Sequence, residues 1–378
     1  MILAIEPLLS LFLQTQNYQI SELTSKIKEV FLSTYKLPLE RIIYLRKYSG
    51  KDNLKGILDY LPKSTTIREY NDINDHELSK ENQFILGPLN MEELTSYYRK
   101  IFKNSIPTYP IVHPILASKF YRNVMFDPFI PFHIYIPESS INLISRFDFE
   151  SYFSEKNVSH VIIKDEYGFH TGQMVAYQLV PVGSINKKII DFAKIAGRIE
   201  DFGGIIIEEF IGDLESEVYK CHIYGEIIPK EIIKYKIYLD GLEGVFKSYT
   251  PGEKSLLQKV DSEVGEIDQD IINKLNPIIK QHLPYLFASL DFIIDKNNKL
   301  PKVIDVNSIA GSLGEVQEMI RSNDHNSFEF FYNRCLNLPK NEFRNQIQYL
   351  DYLENQYYDL KTLEGIFSVK DGKKHKLL

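Results

Sequence analysis

The sequence predicts an α+β protein: a small α/β unit followed by strand-rich segments with helices laid between them. Three observations carry this. Over the first 110 residues, strand-like and helical runs alternate. At 104–114, "NSIPTYPIVHP" places three prolines in one short segment and reads as a boundary. Beyond it, strand-like runs dominate and lack the regular strand–helix winding of a parallel α/β sheet. At 378 residues, two or three sub-domains are expected rather than one.

The elements follow in order. The apolar opening "MILAIEPLLSLFLQ" contains Glu6 and lacks a basic leader, so it reads as a first strand or helix and not as a signal peptide. Residues 20–32, "ISELTSKIKEVFL", have helical periodicity, whereas "RIIYLRK" at 41–47 and "NQFILGPLN", ending at Asn90, read as strands. Asn90 followed by Glu93 resembles a capping box for the helix "MEELTSYYRKIF". Past the prolines, strands are expected at 158–164, 173–180, 204–209, 216–224, 286–294 and 302–307. Helices are expected at 186–196, 268–283, 315–321 and 326–336. The last forty residues read as a peripheral helix and a frayed basic tail, "KDGKKHKLL".

Composition narrows the partners. The net charge is −7 with basic residues dispersed, which offers no extended field for nucleic acid or an anionic membrane. A small-molecule or protein substrate is expected instead. The two cysteines, Cys221 and Cys335, belong to no CxxC or Cys/His cluster, so neither a disulfide framework nor a zinc site is expected, and a reducing cytoplasm fits. No run of about 18 uninterrupted apolar residues marks a membrane span.

The chemistry starts in "KVIDVNSIAGS", 302–312. Asp305 and Asn307 interrupt an apolar strand and, being two apart, share a face. A buried carboxylate is costly unless something meets it. The preceding run "LFASLDFIIDKNNKLP" carries Asp291, and a hairpin pivoting near Asn298 sets Asp291 opposite Asp305. Two facing carboxylates repel, whereas a magnesium ion takes oxygen ligands of this kind together with phosphate oxygens. The plainer reading is a solvated hairpin face. In "HVIIKDEYGFHTGQMVAY", 160–177, a strand delivers Lys164 to a loop with Gly168 and Gly172, an arrangement able to surround phosphates. It is not the GxxxxGK[ST] phosphate loop. In "GGIIIEEFIGDLESEVYKCHIYGEII", 203–228, a strand ends in Glu208 and Glu209 and runs into Phe210 and Ile211, which could give adenine backbone hydrogen bonds and an apolar slot. Lys220 downstream could meet a phosphate. Taken singly, these features are more often a sheet edge and a surface lysine.

In combination and order, these stretches resemble the ATP-grasp superfamily. The resemblance spans about 115–322 and is carried by "ASKFYRN" with Lys119, "FIP", "VIIKD" with Lys164, "GFHTGQ", "IIEEFIG", "EVYKCHIYGE", "SLDFII" and "VIDVNS". It implies ATP, with Lys119 and Lys164 on the phosphates, Glu208 to Ile211 around adenine, and Glu217 as a ribose or metal-adjacent candidate. It further implies that Asp291, Asp305 and Asn307 hold magnesium, with manganese as an alternative. Lys220 stands where many relatives have Arg, and the loop 165–172 would close over ATP with His170 facing the phosphates. The implied division is an N-terminal α/β domain at 1–110, a central subdomain at 111–205, a C-terminal subdomain at 206–338, and a helix and tail at 339–378. The implied reaction is a ligation: a carboxylate is activated as an acylphosphate and attacked by an amine or another nucleophile on a small-molecule or peptide acceptor. A homo-oligomer is left open. The chain departs from the family where "IAGSLG" replaces a proline-glycine turn, and where 230–262 offers only Lys236, Lys247, Tyr249 and Lys254 to grip an acylphosphate. "EVYKCHIYGE" and "VIDVN" are also similar to segments of inositol-phosphate kinases of the same fold, which leaves a kinase as the alternative, and a non-catalytic nucleotide-binding protein as a third.

Overall fold

The computed structural model describes residues 2–4, 41–46, 65–70, 83–86, 108–109, 114–166, 176–197, 203–248, 252–307, 340–362 and 364–378. Among them the strands form three sheets. The first is parallel: β1 (Ile2–Ala4), β3 (Thr65–Tyr70) and β4 (Gln83–Leu86) each pair with β2 (Arg41–Arg46), and β5 (Thr108–Tyr109) pairs with β4. The opening apolar run thus supplies a strand, and β5 lies inside the proline-bearing segment. Parallel neighbours need crossover connections, which is what the alternating pattern implied. The helices read at 20–32 and 91–102 lie outside the described residues, as do those at 315–321 and 326–336.

Along the rest of the chain come α1 (Lys119–Phe126), β6 (His133–Pro137), α2 (Phe149–Ser154), β7 (His160–Asp165), β8 (Gln178–Pro181), α3 (Ile185–Ala196) and β9 (Gly204–Glu209). They are followed by β10 (Glu215–Tyr224), β11 (Ile227–Leu239), β12 (Gly244–Val245), β13 (Leu257–Val264), α4 (Gln269–His282), β14 (Phe287–Ile294) and β15 (Pro301–Asn307). Last are α5 (Lys340–Thr362), β16 (Phe367–Lys370) and β17 (Lys373–Lys376).

The second sheet runs β12-β8-β7-β9-β6-β16-β17, and its central strands are buried on both faces. On one face Ile205, Ile207, Ile134, Ile136, Val161 and Ile163 pack with Phe149 and Phe153 of α2 and Ile185, Ile189 and Phe192 of α3. On the other, Ile206 and Tyr135 meet α1, where Phe120 stacks on Tyr135 at 4.3 Å. That double burial explains the unbroken isoleucine run of β9. The third sheet, β13-β11-β10-β14-β15, is antiparallel throughout. Its apolar face, with Cys221, Ile223, Leu290, Phe292 and Val303, packs against Leu275 and Ile279 of α4 and Phe343 and Leu350 of α5. The opposite face is left for chemistry.

Two expectations change. The basic tail is not frayed: Ile366 and Phe367 are buried, and β16 pairs with β6 through Phe367 and Tyr135. The turn to β17 has Asp371 and Gly372 both at positive φ, 55° and 64°, the geometry of an Asp-Gly hairpin. The Gly372 amide also donates to Asp127 Oδ2 at 2.8 Å, fastening the turn to the end of α1. The strands β6, β11 and β13 were not anticipated either. In β11, lysines at 230, 234 and 236 disguise the strand, because Lys234 and Lys236 lie on partly solvated sheet positions and make ion pairs there.

Candidate functional site

The acids come together as the sequence suggested. Across the third sheet, Lys220 of β10, Asp291 of β14 and Asp305 of β15 form one transverse row, and His222, Ser289 and Asn307 form the next. Both rows project from the face opposite Cys221 and Phe292. Lys220 Nζ lies 3.6 Å from Asp291 Oδ2. Burial nevertheless pushes the Asp291 carboxyl up to about 6, with Lys220 opposing and Asp305 adding to the shift. Among the described residues, Asp291 Oδ1 and Ser289 Oγ are buried without a hydrogen-bond partner. Two such atoms side by side mark a place built for something else.

The register explains how a core strand carries these acids. From Asn307 to Asp305 the hairpin pairs as predicted, but Phe292 faces Val303, so Ile304 is an extra residue in a β-bulge. Val303 and Val306, three apart, can therefore both enter the core while Asp305 faces the site. The bulge is invisible in an apolar–polar reading of "KVIDVN".

The cations come from the second sheet and α1. Ser118 caps α1, accepting from the Tyr121 amide at 3.2 Å and donating to Glu166 Oε1 at 2.7 Å. Tyr135 donates to the other oxygen of Glu166 at 2.8 Å. This bracing sets Lys119 in the first turn of a helix, where the dipole disfavours a cation, and buries it to 5% exposure. Lys164 is the last residue but one of β7 and is 7% exposed. The Nζ atoms of Lys119 and Lys164 lie 5.6 and 5.8 Å from the ring centroid of Tyr177, so one ring serves both. Burial lowers the pKa of each lysine, while the charge of Asp305 works against that shift on both. Asp305 is thus an acid of the third sheet close enough to act on both lysines.

Glu208 points inward. Its carboxylate takes Lys164 at 2.6 Å and Arg122 of α1 on its two oxygens. Glu209 accepts from the Phe132 amide at 3.3 Å, and burial raises its pKa. The Phe210 amide donates to His160 O at 2.9 Å, ending the ladder and releasing Ile211. Beside this end, half-buried Phe210, Ile237 and Phe246 pack on Leu179, Leu239 and Leu256 to form an apolar floor between the two sheets.

Lys119, Lys164, Glu208, Asp291, Asp305, Asn307 and Lys220 therefore gather around one region. Glu217 does not join them: it has the strand parity of Tyr219, on the other face, and pairs with Lys234 at 2.7 Å. Gly168, His170, Gly172 and Tyr249 lie outside the described residues. Lys254 pairs with Asp240 at 2.6 Å, and Lys236 with Glu263 at 3.5 Å. Arg122, Tyr177, Ser289 and His222 were not anticipated. Arg122 had a signal, since it lies one turn after Lys119 on the same helical face. Ser289 had one too, being two before Asp291 in a strand.

No protein-family model matches the chain, and no curated protein matches it in sequence. Solved structures do match. D-alanyl-alanine synthetase A from Vibrio cholerae superposes with a TM-score of 0.50 at 13% identity, over 79% of this chain and 98% of that one. The fold is ATP-grasp. A D-alanine–D-alanine ligase from Bacillus anthracis matches at 12% identity and TM-score 0.48, over 90% of this chain and 98% of that one. An ADP complex of an N5-carboxyaminoimidazole ribonucleotide synthetase matches at 10% identity and TM-score 0.48, over 89% and 76%. The α+β class expected from the sequence is the class of the ATP-grasp fold found. Within the described residues, no helix is long and apolar enough to cross a membrane.

Proposed function

We propose that this chain is an ATP- and magnesium-dependent ligase that activates a carboxylate as an acylphosphate for attack by an amine or another nucleophile. The observation that carries the reading is the meeting of two buried lysines, one from α1 and one from the second sheet, with a row of two carboxylates and a lysine from the third. Such a meeting is expensive for a stable fold to maintain. It suits a polyphosphate with its metal, where the lysines neutralise phosphate oxygens and the acids take the ion.

The donor set fits magnesium. No three His, Cys, Asp or Glu side chains converge as a metal cage among the described residues. Asp291 and Asp305 with the Asn307 amide offer hard oxygens only, and Asp291 Oδ1 is free to serve. Magnesium is held in this way, by one or two carboxylates plus phosphate oxygens, and manganese accepts the same donors. When bound, the ion supplies charge neutralisation at the transferring phosphate. The rest falls to the chain's own residues. Lys119 and Lys164, set by Ser118, Glu166 and Tyr177, would hold phosphate oxygens at fixed points. Lys220, beside Asp291, would balance charge on the far side. The apolar floor of Phe210, Ile237 and Leu179 would receive adenine next to the strand end at Ile211.

The Vibrio protein is by name a synthetase of a dipeptide, and amide-bond formation is the class of reaction proposed for this chain. The acceptor remains a small molecule or peptide. Incubation with ATP, magnesium and panels of amino acids and peptides should release ADP and free phosphate only when a carboxylate and an amine are both supplied. Phosphate retained on an acceptor would instead establish a kinase, and nucleotide binding without turnover a non-catalytic protein.

A further inference from the structure

The buried guanidinium of Arg122 touches three separate parts of the molecule. It is 2% exposed, and Asn123 Oδ1 accepts from its Nε at 2.9 Å and from Nη2 at 2.6 Å, which fixes the plane of the fork. Nη2 also donates to Glu208 of the second sheet. Nη1 donates to the carbonyl of Ile304, the bulged residue of β15 in the third sheet. A lysine at this position has no planar fork with which to make these contacts together.

The partner carbonyl is the informative one. A bulge drops one residue out of the ladder and leaves its backbone without a strand partner. In a regular β15 paired as at Val303 and Phe292, Ile304 would stand opposite Asp291. Asp305 would then turn toward the core, because a shift of one residue exchanges the faces. The extra residue is therefore what sets Asp305 opposite Asp291, and Arg122 is the side chain that holds it.

We propose that Arg122 is a positioning residue: by holding the Ile304 bulge it turns Asp305 out of the core and into register with Asp291. This rests on the nucleotide and metal reading above for its purpose, though not for its geometry. Arg122 thereby ties the sheet that carries Lys164 to the hairpin that carries the acids, through one buried side chain.

Two measurements test it on the full chain. In metal-free protein, Arg122→Met, which keeps the length of the stem, should speed amide hydrogen exchange at Ile304 to Val306 by about tenfold or more. In a manganese titration followed by electron paramagnetic resonance, the same variant should bind about 10–100-fold more weakly, the usual effect of losing a group that orients metal ligands. Deleting Ile304 in the Arg122→Met background makes the ladder regular while keeping Asp305 opposite Asp291, and should restore manganese affinity to near the wild-type value. A residue serving only general stability would show no such rescue. If Arg122→Met does not fold, Arg122→Lys keeps the charge near Glu208, loses the fork, and should show the same faster exchange. Unchanged exchange in a folded variant, or a folded deletion variant without recovered affinity, overturns the proposal. A wild-type chain that binds no manganese overturns the metal reading instead, and the exchange measurement still decides the role of Arg122.

Discussion

Lys164 shows how a single side chain can be costly to the fold and useful to the site. It is buried beside Arg122 and Lys119, and its pKa is lowered well below the usual lysine value, first by burial and then by those two charges. A polyphosphate would relieve that repulsion. Lys164→Ala should weaken ATP binding at least about tenfold by calorimetry, or about 1.4 kcal/mol, and an unaltered affinity would remove its phosphate role. Asp291 bears the complementary strain. Its carboxyl is raised from 3.8 to about 6. Below about pH 4 it is protonated in folded and unfolded chains alike. As pH rises toward 6, the unfolded chain gives up the proton first, so the native state loses stability and carries the whole penalty above that range. Asp291→Asn should therefore melt higher than wild type at pH 8, by about 1–3 kcal/mol, and no higher at pH 4. Equal melting at both pH values would show that burial does not strain this carboxyl.

At the scale of elements, the C-terminal hairpin is a structural part of the second sheet. Phe367, 2% exposed, sits in the same core cluster as Phe120 and Tyr135. Phe367→Ala should cost about 3–5 kcal/mol in denaturant unfolding. A loss below about 1 kcal/mol would mean that the hairpin merely rests on the surface. The Asp371-Gly372 pair was a readable hairpin signal, but its flanks, "SVK" and "KKHK", carry too few apolar residues to mark strands. β17 is exposed along its length, which is how a sheet edge rich in lysine avoids pairing with other chains. The strands that carry the site were legible because β9, β10, β14 and β15 each bury an apolar face. The facing of Asp291 and Asp305 was legible from turn position alone. The bulge was not, because it depends on Arg122, far away in sequence. The inward turn of Glu208 was also hidden, since strand parity does not say which of two buried faces meets α1.

For the whole molecule, Lys119 on α1 and Lys164 on the second sheet face acids carried by the third sheet, so a ligand that bridges them should stabilise the entire fold. Magnesium with a non-hydrolysable ATP analogue at about 100 times its Kd should add about 2.7 kcal/mol. Chelating the metal should remove much of that gain in a thermal melt, and a melt indifferent to nucleotide would count against the site. The pairing of β16 with β6 has a further consequence, for folding. Tyr135 and Phe367 are more than two hundred residues apart in the chain, yet they are ladder partners. Contacts of such separation form late. While the chain is being made, β6 must wait with Ile134, Tyr135 and Ile136 on an open strand edge. The time between their synthesis and that of residue 367 is when this protein is most exposed to pairing with a neighbour and aggregating, and when a chaperone would matter most.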